Sequence, residues 1–170
     1  MSSLGYMYRD GDGVEQDVNK AVEWFSKAAD LNYASAMSSL GYMYREGDGV
    51  TKNRKKAEYW YEKAYQAGDK DKAFQLGMLH MTAFPPSLPP SADGFLGQPE
   101  KAIKWFMIAA GNKEEPLEQG FASFMLAGLY TNGAGGIKRD AKISAQWMKK
   151  AEVFFLNGIE TEQGGDALAL

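Results

Sequence analysis

The sequence predicts an all-α fold made of four copies of a helix–turn–helix repeat. First, residues 1–32 match residues 37–68 at a constant offset of 36 positions, so that Trp24 corresponds to Trp60. Second, each half of the repeat carries apolar residues at the spacing of one helical face, as Ala57, Tyr61 and Ala64 do at i, i+4 and i+7. Third, a glycine-rich turn separates the two halves. Paired helices with apolar stripes of this kind bury their surfaces by stacking on neighbouring pairs.

Taken in order, the eight predicted helices lie near residues 2–10, 18–31, 34–46, 54–67, 70–82, 99–111, 117–132 and 141–157. Asp17, Asn53 and Asp140 each precede a second helix and can accept hydrogen bonds from its first amides. Pro99 suits a first helical position, where its missing N–H would have no partner. Glycines stand where several helices should end, namely Gly47, Gly68, Gly111, Gly133 and Gly158.

The spacing of the repeated residues predicts one domain over residues 1–158, with repeats at about 1–32, 33–68, 69–111 and 116–158 and a tail at 159–170. In the third repeat, Trp105 comes nine positions late, which indicates a proline-rich insertion at 83–98. Its prolines favour an extended course that ends the preceding helix near Ala83. The insertion either folds its own apolar side chains over neighbouring helices or contacts a partner through the P-x-x-P segment Pro86 to Pro89.

Glycines recur inside the first helix of the first three repeats, at Gly5, Gly41 and Gly77. Each costs about 1 kcal/mol of helix stability relative to alanine, so a compensating interaction is expected. We predict that the second helix of the hairpin approaches closely at these positions. In the fourth repeat Ala127 replaces the glycine, and Ser144 replaces an alanine of the second helix. The recurring tryptophans are interpreted as one repeated packing position.

The Leu-Gly pair, the Gly-x-Gly turn, the Lys-Ala pair and the tryptophan recur in this order and at this spacing. In these motifs the chain resembles the Sel-one-like repeat, a relative of the tetratricopeptide repeat, over residues 1 to about 158. The resemblance implies a right-handed α/α solenoid and a scaffolding role. Members of the family are generally adaptors in bacterial signalling, envelope functions and host interaction, or in endoplasmic-reticulum quality control. The chain has no cysteine, which excludes the relatives that tie each hairpin with a disulfide.

Composition narrows the classes of partner. The formal charge of −3 favours neither nucleic acid nor an anionic membrane surface. No apolar run approaches the roughly 20 residues that cross a bilayer, and no signal peptide precedes the first repeat. Met1 aligns with Met37, which lies inside a helix, so the chain begins in the middle of a repeat unit. Either it is part of a longer array or its first helix is short, and the sequence leaves the compartment open.

The sequence lacks the motifs that are typical of catalytic and metal-binding sites. With His80 as its one histidine and no cysteine, the chain cannot assemble a zinc site rich in those residues or a Ser/His or Cys/His pair with a supporting residue. His80 aligns with tyrosines of the other repeats and is expected to be a core or rim side chain. The Gly-Asp-Gly-Val turns lack the strand and the lysine of a phosphate-binding loop. We therefore expect neither an enzyme nor a resident metal or cofactor.

The related tetratricopeptide fold implies that the first helices line a concave surface. When Leu40, Gly41 and Tyr44 face the core, one neighbouring face of each first helix is left for a partner. The residues predicted on this face are Ser2, Tyr6, Arg9, Ser38, Tyr42, Arg45, Phe74, Met78, Met81 and Phe124. In the alternative reading, the Met and Phe residues among them pack under the long insertion.

The function hypothesis is a non-catalytic scaffold or adaptor that binds a peptide or partner protein in this concave groove. Self-association through the N-terminal repeat is a further expectation, because a terminal repeat ordinarily needs a polar cap. The alternative is a structural segment of a longer repeat array, in which binding lies elsewhere.

Overall fold

The computed structural model describes residues 1–81, 97–133 and 136–163, and its regular elements in these ranges are eight α-helices. They are α1 (Ser2–Asp10), α2 (Val18–Asp30), α3 (Ala34–Glu46), α4 (Arg54–Gln66), α5 (Lys72–His80), α6 (Pro99–Ala109), α7 (Pro116–Asn132) and α8 (Ala141–Gln163). Seven of them begin and end within two residues of the predicted positions, and α8 ends six residues later than predicted.

The predicted N-caps are confirmed. The carboxylate of Asp17 accepts a hydrogen bond from the Lys20 amide at 3.0 Å, and the side-chain oxygen of Asn53 accepts from the Lys56 amide at the same distance. In the fourth repeat, the carboxylate of Asp140 accepts a hydrogen bond from the Ile143 amide at 2.9 Å. At the other end of the first helices, Gly47 adopts the left-handed conformation with φ 83° and its N–H donates to a carbonyl of the last turn.

Helix α5, which is two residues shorter than predicted at each end, and helix α8, which is longer, differ from the prediction for local reasons. Helix α5 begins at Lys72 because Asp69 to Asp71 form turns, in which the Lys72 amide donates to the Asp69 carbonyl at 3.3 Å. Helix α8 continues to Gln163, past Gly158, where the sequence predicts an end. A glycine costs a helix only about 1 kcal/mol, and the glutamate and glutamine residues that follow it are good helix formers. Most of the proline-rich insertion lies outside the described residues.

The chain divides into two compact units, residues 1–76 and 77–170, with the boundary inside α5. In the first unit, α1 pairs with α2, α3 pairs with α4, and α2 packs on α3. Its core includes Phe25 and the alanines of α2 together with Met37, Leu40 and Met43 of α3. In the second unit, α6 packs on α7, and α7 pairs with α8.

One backbone hydrogen bond recurs in every repeat and ties the end of the first helix to the start of the second. The residue before the second helix donates its N–H to the carbonyl of an aromatic residue or histidine in the first. The donor and acceptor pairs are Asp17 and Tyr8 (2.8 Å), Asn53 and Tyr44 (2.8 Å), Gln98 and His80 (2.8 Å), and Asp140 and Tyr130 (3.0 Å). The insertion in the third repeat therefore begins and ends at the same two positions that a short turn joins elsewhere. The His80 side chain is 2% exposed, so its predicted place in the core is confirmed.

The predicted close approach at the helical glycines is also confirmed. Each glycine faces an aromatic ring of the second helix, and a Cβ atom added to it would lie 2.6 Å from a ring carbon. The pairs are Gly5 and Phe25, Gly41 and Tyr61, and Gly77 and Phe106. In the fourth repeat, where Ala127 stands for the glycine, the residue at the ring position is Met148, a flexible side chain that is 37% exposed. The ring and the glycine are thus replaced together.

Candidate functional site

A groove of about 280 Å³ opens on the first unit, and we call it the Tyr42 groove. Helix α3 supplies most of its wall, with contributions from the end of α1, from α4 and from the start of α5. The lining residues are Arg9, Ser38, Ser39, Tyr42, Arg45, Tyr61, Lys72 and Gln75. A second cavity of about 430 Å³ shares Arg9 and Tyr42 with it and is also lined by Asp10, Gln16 and Asp48. The two cavities therefore form one recessed surface with Arg9 and Tyr42 in common.

Each arginine of the groove lies over a tyrosine one helical turn earlier. The Arg9 guanidinium carbon is 4.9 Å from the centre of the Tyr6 ring, and that of Arg45 is 5.3 Å from the centre of the Tyr42 ring. Stacking on an aromatic face fixes the guanidinium plane while leaving N–H groups available at its edge. Tyr42 itself is 44% exposed, so its ring offers contact area at the surface. The two stacked pairs supply oriented donors and apolar area at one surface.

Both arginines also pair with the carboxylate that follows them in sequence. Arg9 Nε lies 2.7 Å from Asp10 Oδ1, and Arg45 Nε lies 2.6 Å from Glu46 Oε1. The hydrogen bond from Arg9 lowers the pKa of the Asp10 carboxyl, and the same bond raises the pKa of Arg9. These ion pairs face solvent, and exposed pairs contribute little to stability. A partner's carboxylate could therefore replace the neighbouring one at little cost.

Tyr6 links helices α1 and α3 and does not line the Tyr42 groove. Its hydroxyl forms a hydrogen bond of 2.9 Å with Ser39 Oγ, and its ring meets the Phe25 ring edge-on with centroids 5.0 Å apart. Ser39 in turn donates to the Ser35 carbonyl of its own helix. The phenol of Tyr6 thus joins α1 to α3, and the face of its ring lies under the Arg9 guanidinium. Ser2 is half-buried and lines neither cavity.

Sequence reasoning missed four lining residues: Ser39, Tyr61, Lys72 and Gln75. Tyr61 is 2% exposed, and burial raises the pKa of its phenol to about 12, so it lines the groove as a neutral group. Lys72 and Gln75 come from the flank of α5 that faces α3. The helical spacing in the sequence instead predicted Phe74 on this surface, one position before Gln75. The signal that could have found Tyr61 is its position directly after the repeated tryptophan, opposite the repeated glycine.

The charged side chains that line the Tyr42 groove are all cationic, and each forms an ion pair with a carboxylate outside the lining. Arg9, Arg45 and Lys72 line it, and its lining residues include no carboxylate. Asp69 supports the rim, because it accepts a hydrogen bond from the Ser38 hydroxyl and lies 3.4 Å from Lys72 Nζ. An anionic group in the groove would therefore compete with these carboxylates for the three cations. The adjoining cavity is mixed in charge, since Asp10 and Asp48 line it with Arg9.

The other predicted residues lie apart from this groove. Phe74 is half-buried in the first unit and lines neither cavity. In the second unit, Met78 is 44% exposed, Phe124 is 47% exposed and Met81 is half-buried. Phe124 continues an exposed apolar stripe on α7 with Leu117 and Phe121, two residues that the sequence reading did not single out. The alternative reading, in which these side chains pack under the insertion, concerns residues outside the described ranges.

Within residues 1–81, 97–133 and 136–163, no group of three or more His, Cys, Asp or Glu side chains is placed to hold a metal ion. No helix in the described part of the chain has the length and apolarity to cross a membrane.

Comparison with known proteins relates the chain to one family of repeats. The Sel1 repeat family matches residues 1–33, 34–69, 92–112 and 120–152. The crystal structure of a Sel1 repeat protein from Oxalobacter formigenes is similar, with 30% identity and a TM-score of 0.66 over 88% of this chain and 56% of that one. So is c5321, a protective antigen present in uropathogenic Escherichia coli strains displaying an SLR fold, with 30% identity and a TM-score of 0.68 over 89% of this chain and 29% of that one. No curated protein matches the chain significantly. The fold is thus an all-α solenoid of helical repeats.

Proposed function

Because the chain belongs to the Sel1 repeat family, we propose that it is a non-catalytic adaptor whose first unit binds a partner protein in the Tyr42 groove. Sel1 repeat proteins are generally protein–protein interaction scaffolds and are typically not enzymes. The observation that carries the proposal is the lining of the groove, in which three cations and two tyrosines meet without a carboxylate among them.

The chemistry of the lining indicates the partner's chemistry. An arginine whose plane is held by a tyrosine can bind a carboxylate through two parallel hydrogen bonds. Exposed tyrosine contributes contact area at a low entropic cost, and both residue types are favoured at binding hot spots. At about 280 Å³, the groove is near the lower end of ligand-pocket sizes, which suits a few side chains. The proposed occupant is therefore an extended or helical segment with acidic and apolar residues.

A second role is favoured by the length of the relatives. The chain covers 56% and 29% of the two similar solved proteins, so a chain of this kind also fits within longer arrays. In that role these repeats set the length and curvature of an array, and binding occurs elsewhere.

Another copy of the chain is a second proposed partner, bound through the first repeat. Met1 is 58% exposed, whereas its counterpart in the second repeat, Met37, is 5% exposed. Leu4 and Met7 are half-buried on the same helix.

The groove proposal is tested with synthetic peptides in which glutamates alternate with leucines, compared with the same peptides carrying glutamine for glutamate. Fluorescence anisotropy should show tighter binding of the acidic series. Tyr42→Ala with Arg45→Ala should raise the dissociation constant about 30-fold, equivalent to roughly 2 kcal/mol, and leave the melting temperature nearly unchanged.

The matched control is Tyr59→Ala with Lys63→Ala. Tyr59 is 52% exposed, and the Lys63 ammonium lies 5.8 Å from the centre of its ring, so the pair has the same kind of chemistry outside the groove. Equal losses from the two double variants, or equal binding of acidic and amide peptides, would rule out the groove as the site.

A further inference from the structure

We infer that the segment bound in the Tyr42 groove carries a basic residue beside its acidic one, and that the basic side chain enters the adjoining cavity of about 430 Å³. This inference rests on the proposed function and adds the second charge of the partner. We call the adjoining cavity the Asp48 cavity, and its lining residues are Arg9, Asp10, Gln16, Tyr42 and Asp48. Because Arg9 and Tyr42 line both cavities, one segment can occupy the two together.

The turn between α3 and α4 fixes Asp48 in this cavity. The Asp48 amide donates to the Met43 carbonyl at 3.0 Å, and the glycines on either side of Asp48 both have positive φ. The turn also packs on the start of α2, since a Cβ atom added to Gly49 would lie 2.8 Å from the Val18 Cβ. The Asp48 carboxylate is therefore placed where the second repeat meets the first.

Asp48 is the carboxylate of the cavity that has no cation of its own. It is half-buried, and none of the ion pairs among the described residues involves it. Its charge acts on Arg9, whose pKa is raised first by the hydrogen bond to Asp10 and to a smaller degree by Asp48. Arg9, however, already pairs with Asp10 through two hydrogen bonds of 2.7 and 3.0 Å. The lining residues thus include two carboxylates and one cation.

An acidic residue bound in the Tyr42 groove increases this imbalance. A carboxylate that pairs with the Arg9 guanidinium in place of Asp10 leaves Asp10 without its cation. Asp10 and Asp48 then line one cavity as two negative charges that repel each other. A cation of the partner in the Asp48 cavity removes that cost. The segment that supplies the carboxylate is the nearest source of such a cation.

The acceptors of the Asp48 cavity match an ammonium group. Gln16 Nε2 donates to the Arg9 carbonyl at 2.8 Å, which leaves the amide oxygen of Gln16 as an acceptor. Together with the carboxylates of Asp10 and Asp48, it makes three accepting side chains, and an ammonium has three N–H donors. The basic residue of the partner is therefore a lysine. In an extended segment, side chains two residues apart lie on one side about 7 Å apart, so the spacing Glu-x-Lys presents both charges together.

The test compares three peptides that have one central glutamate and leucines at alternate positions. The lysine peptide has a lysine two residues before the glutamate and another two residues after it, so that either chain direction is served. The glutamine peptide has glutamines at these positions. In the displaced peptide, the two lysines stand at the ends of the chain. Fluorescence anisotropy at one ionic strength should show about five-fold tighter binding of the lysine peptide than of the other two.

Single variants of the full chain assign the effect to the cavity. Asp48→Asn should reduce the preference for the lysine peptide over the glutamine peptide to less than about two-fold, and binding of the glutamine peptide shows that this variant is folded. Asp12→Asn is the matched control and should keep the preference, because Asp12 has the same position in the Gly-Asp-Gly-Val turn of the first repeat and lines neither cavity. Asp10→Asn should tighten binding of the glutamine peptide, since Arg9 loses a competing carboxylate, and should also reduce the preference.

The outcomes separate this inference from the proposed function. Equal affinities of the wild-type chain for the lysine and glutamine peptides overturn the inference, and so does a preference that survives Asp48→Asn. In both cases the proposed function stands if Tyr42→Ala with Arg45→Ala weakens binding of the glutamine peptide. A chain that binds none of the peptides, or a double variant that binds them as wild type does, overturns the proposed function and the inference with it.

Discussion

Replacing Gly41 with alanine tests the central packing contact of the second repeat. Helix propensity alone favours the change by about 1 kcal/mol, since glycine is the poorer helix former. The structure predicts the opposite. The new Cβ atom would lie 2.6 Å from Tyr61 Cε1 and 3.0 Å from Tyr61 Cγ, whereas carbon atoms in ordinary contact are about 3.5–4.0 Å apart.

The magnitude follows from the surroundings of the ring. Tyr61 is 2% exposed, so the ring cannot move by about 1 Å without displacing core residues or leaving the core. Overpacking of this kind typically costs about 1–3 kcal/mol. After the gain in propensity, we expect a net destabilisation of about 1–2 kcal/mol. For a chain of this length, the melting temperature should fall by roughly 3–6 °C.

The assay is urea denaturation and thermal melting of a double-mutant cycle. The fourth repeat pairs Ala127 with Met148, so Tyr61→Met should relieve the clash that Gly41→Ala creates. The two changes together should be more stable than the sum of their separate effects by about 1 kcal/mol or more. Gly111→Ala is the control, because its Cβ would meet only carbonyl oxygens at 3.4 and 3.5 Å. A Gly41→Ala protein that melts at or above the wild-type temperature would refute the reasoning.

Two further predictions concern the second hairpin. Asn53→Ala removes the acceptor of the Lys56 amide and should lower the free energy of unfolding by about 1 kcal/mol in a urea titration. The control Asn19→Ala, at an exposed position, should change this free energy by less than about 0.5 kcal/mol. Equal effects of the two variants would show that the cap contributes nothing. Burial raises the pKa of Tyr61 from 10.0 to about 12, so its contribution to stability is fully present below pH 10 and is lost as the pH rises from about 10 to 12. Tyr61→Phe should lose less stability than wild type over that interval, and parallel pH profiles would contradict the assigned burial.

Local chemistry in the sequence was sufficient to predict the helices and their pairing. Asp17, Asn53 and Asp140 cap helices through atoms only three residues away, and Gly47 ends α3 by a conformation that depends on its own backbone. The close contact at Gly41 was also predictable, because a helical glycine is costly unless a neighbour needs the space. Repetition strengthened each inference. The same reasoning misplaced the end of α8, since a single glycine is a weak stop signal when helix formers follow it.

Tertiary structure decided which residues line the Tyr42 groove. Periodicity placed Arg9, Ser38, Tyr42 and Arg45 on one face, and these four do line it. It could not show that the Tyr6 hydroxyl bonds to Ser39, or that α5 presents Lys72 and Gln75 instead of Phe74. A helical period fixes which residues of one helix share a face, but the rotation of a neighbouring helix is set by how its side chains pack. Sequence therefore determined the faces of single helices, and packing between helices decided which faces meet at the groove.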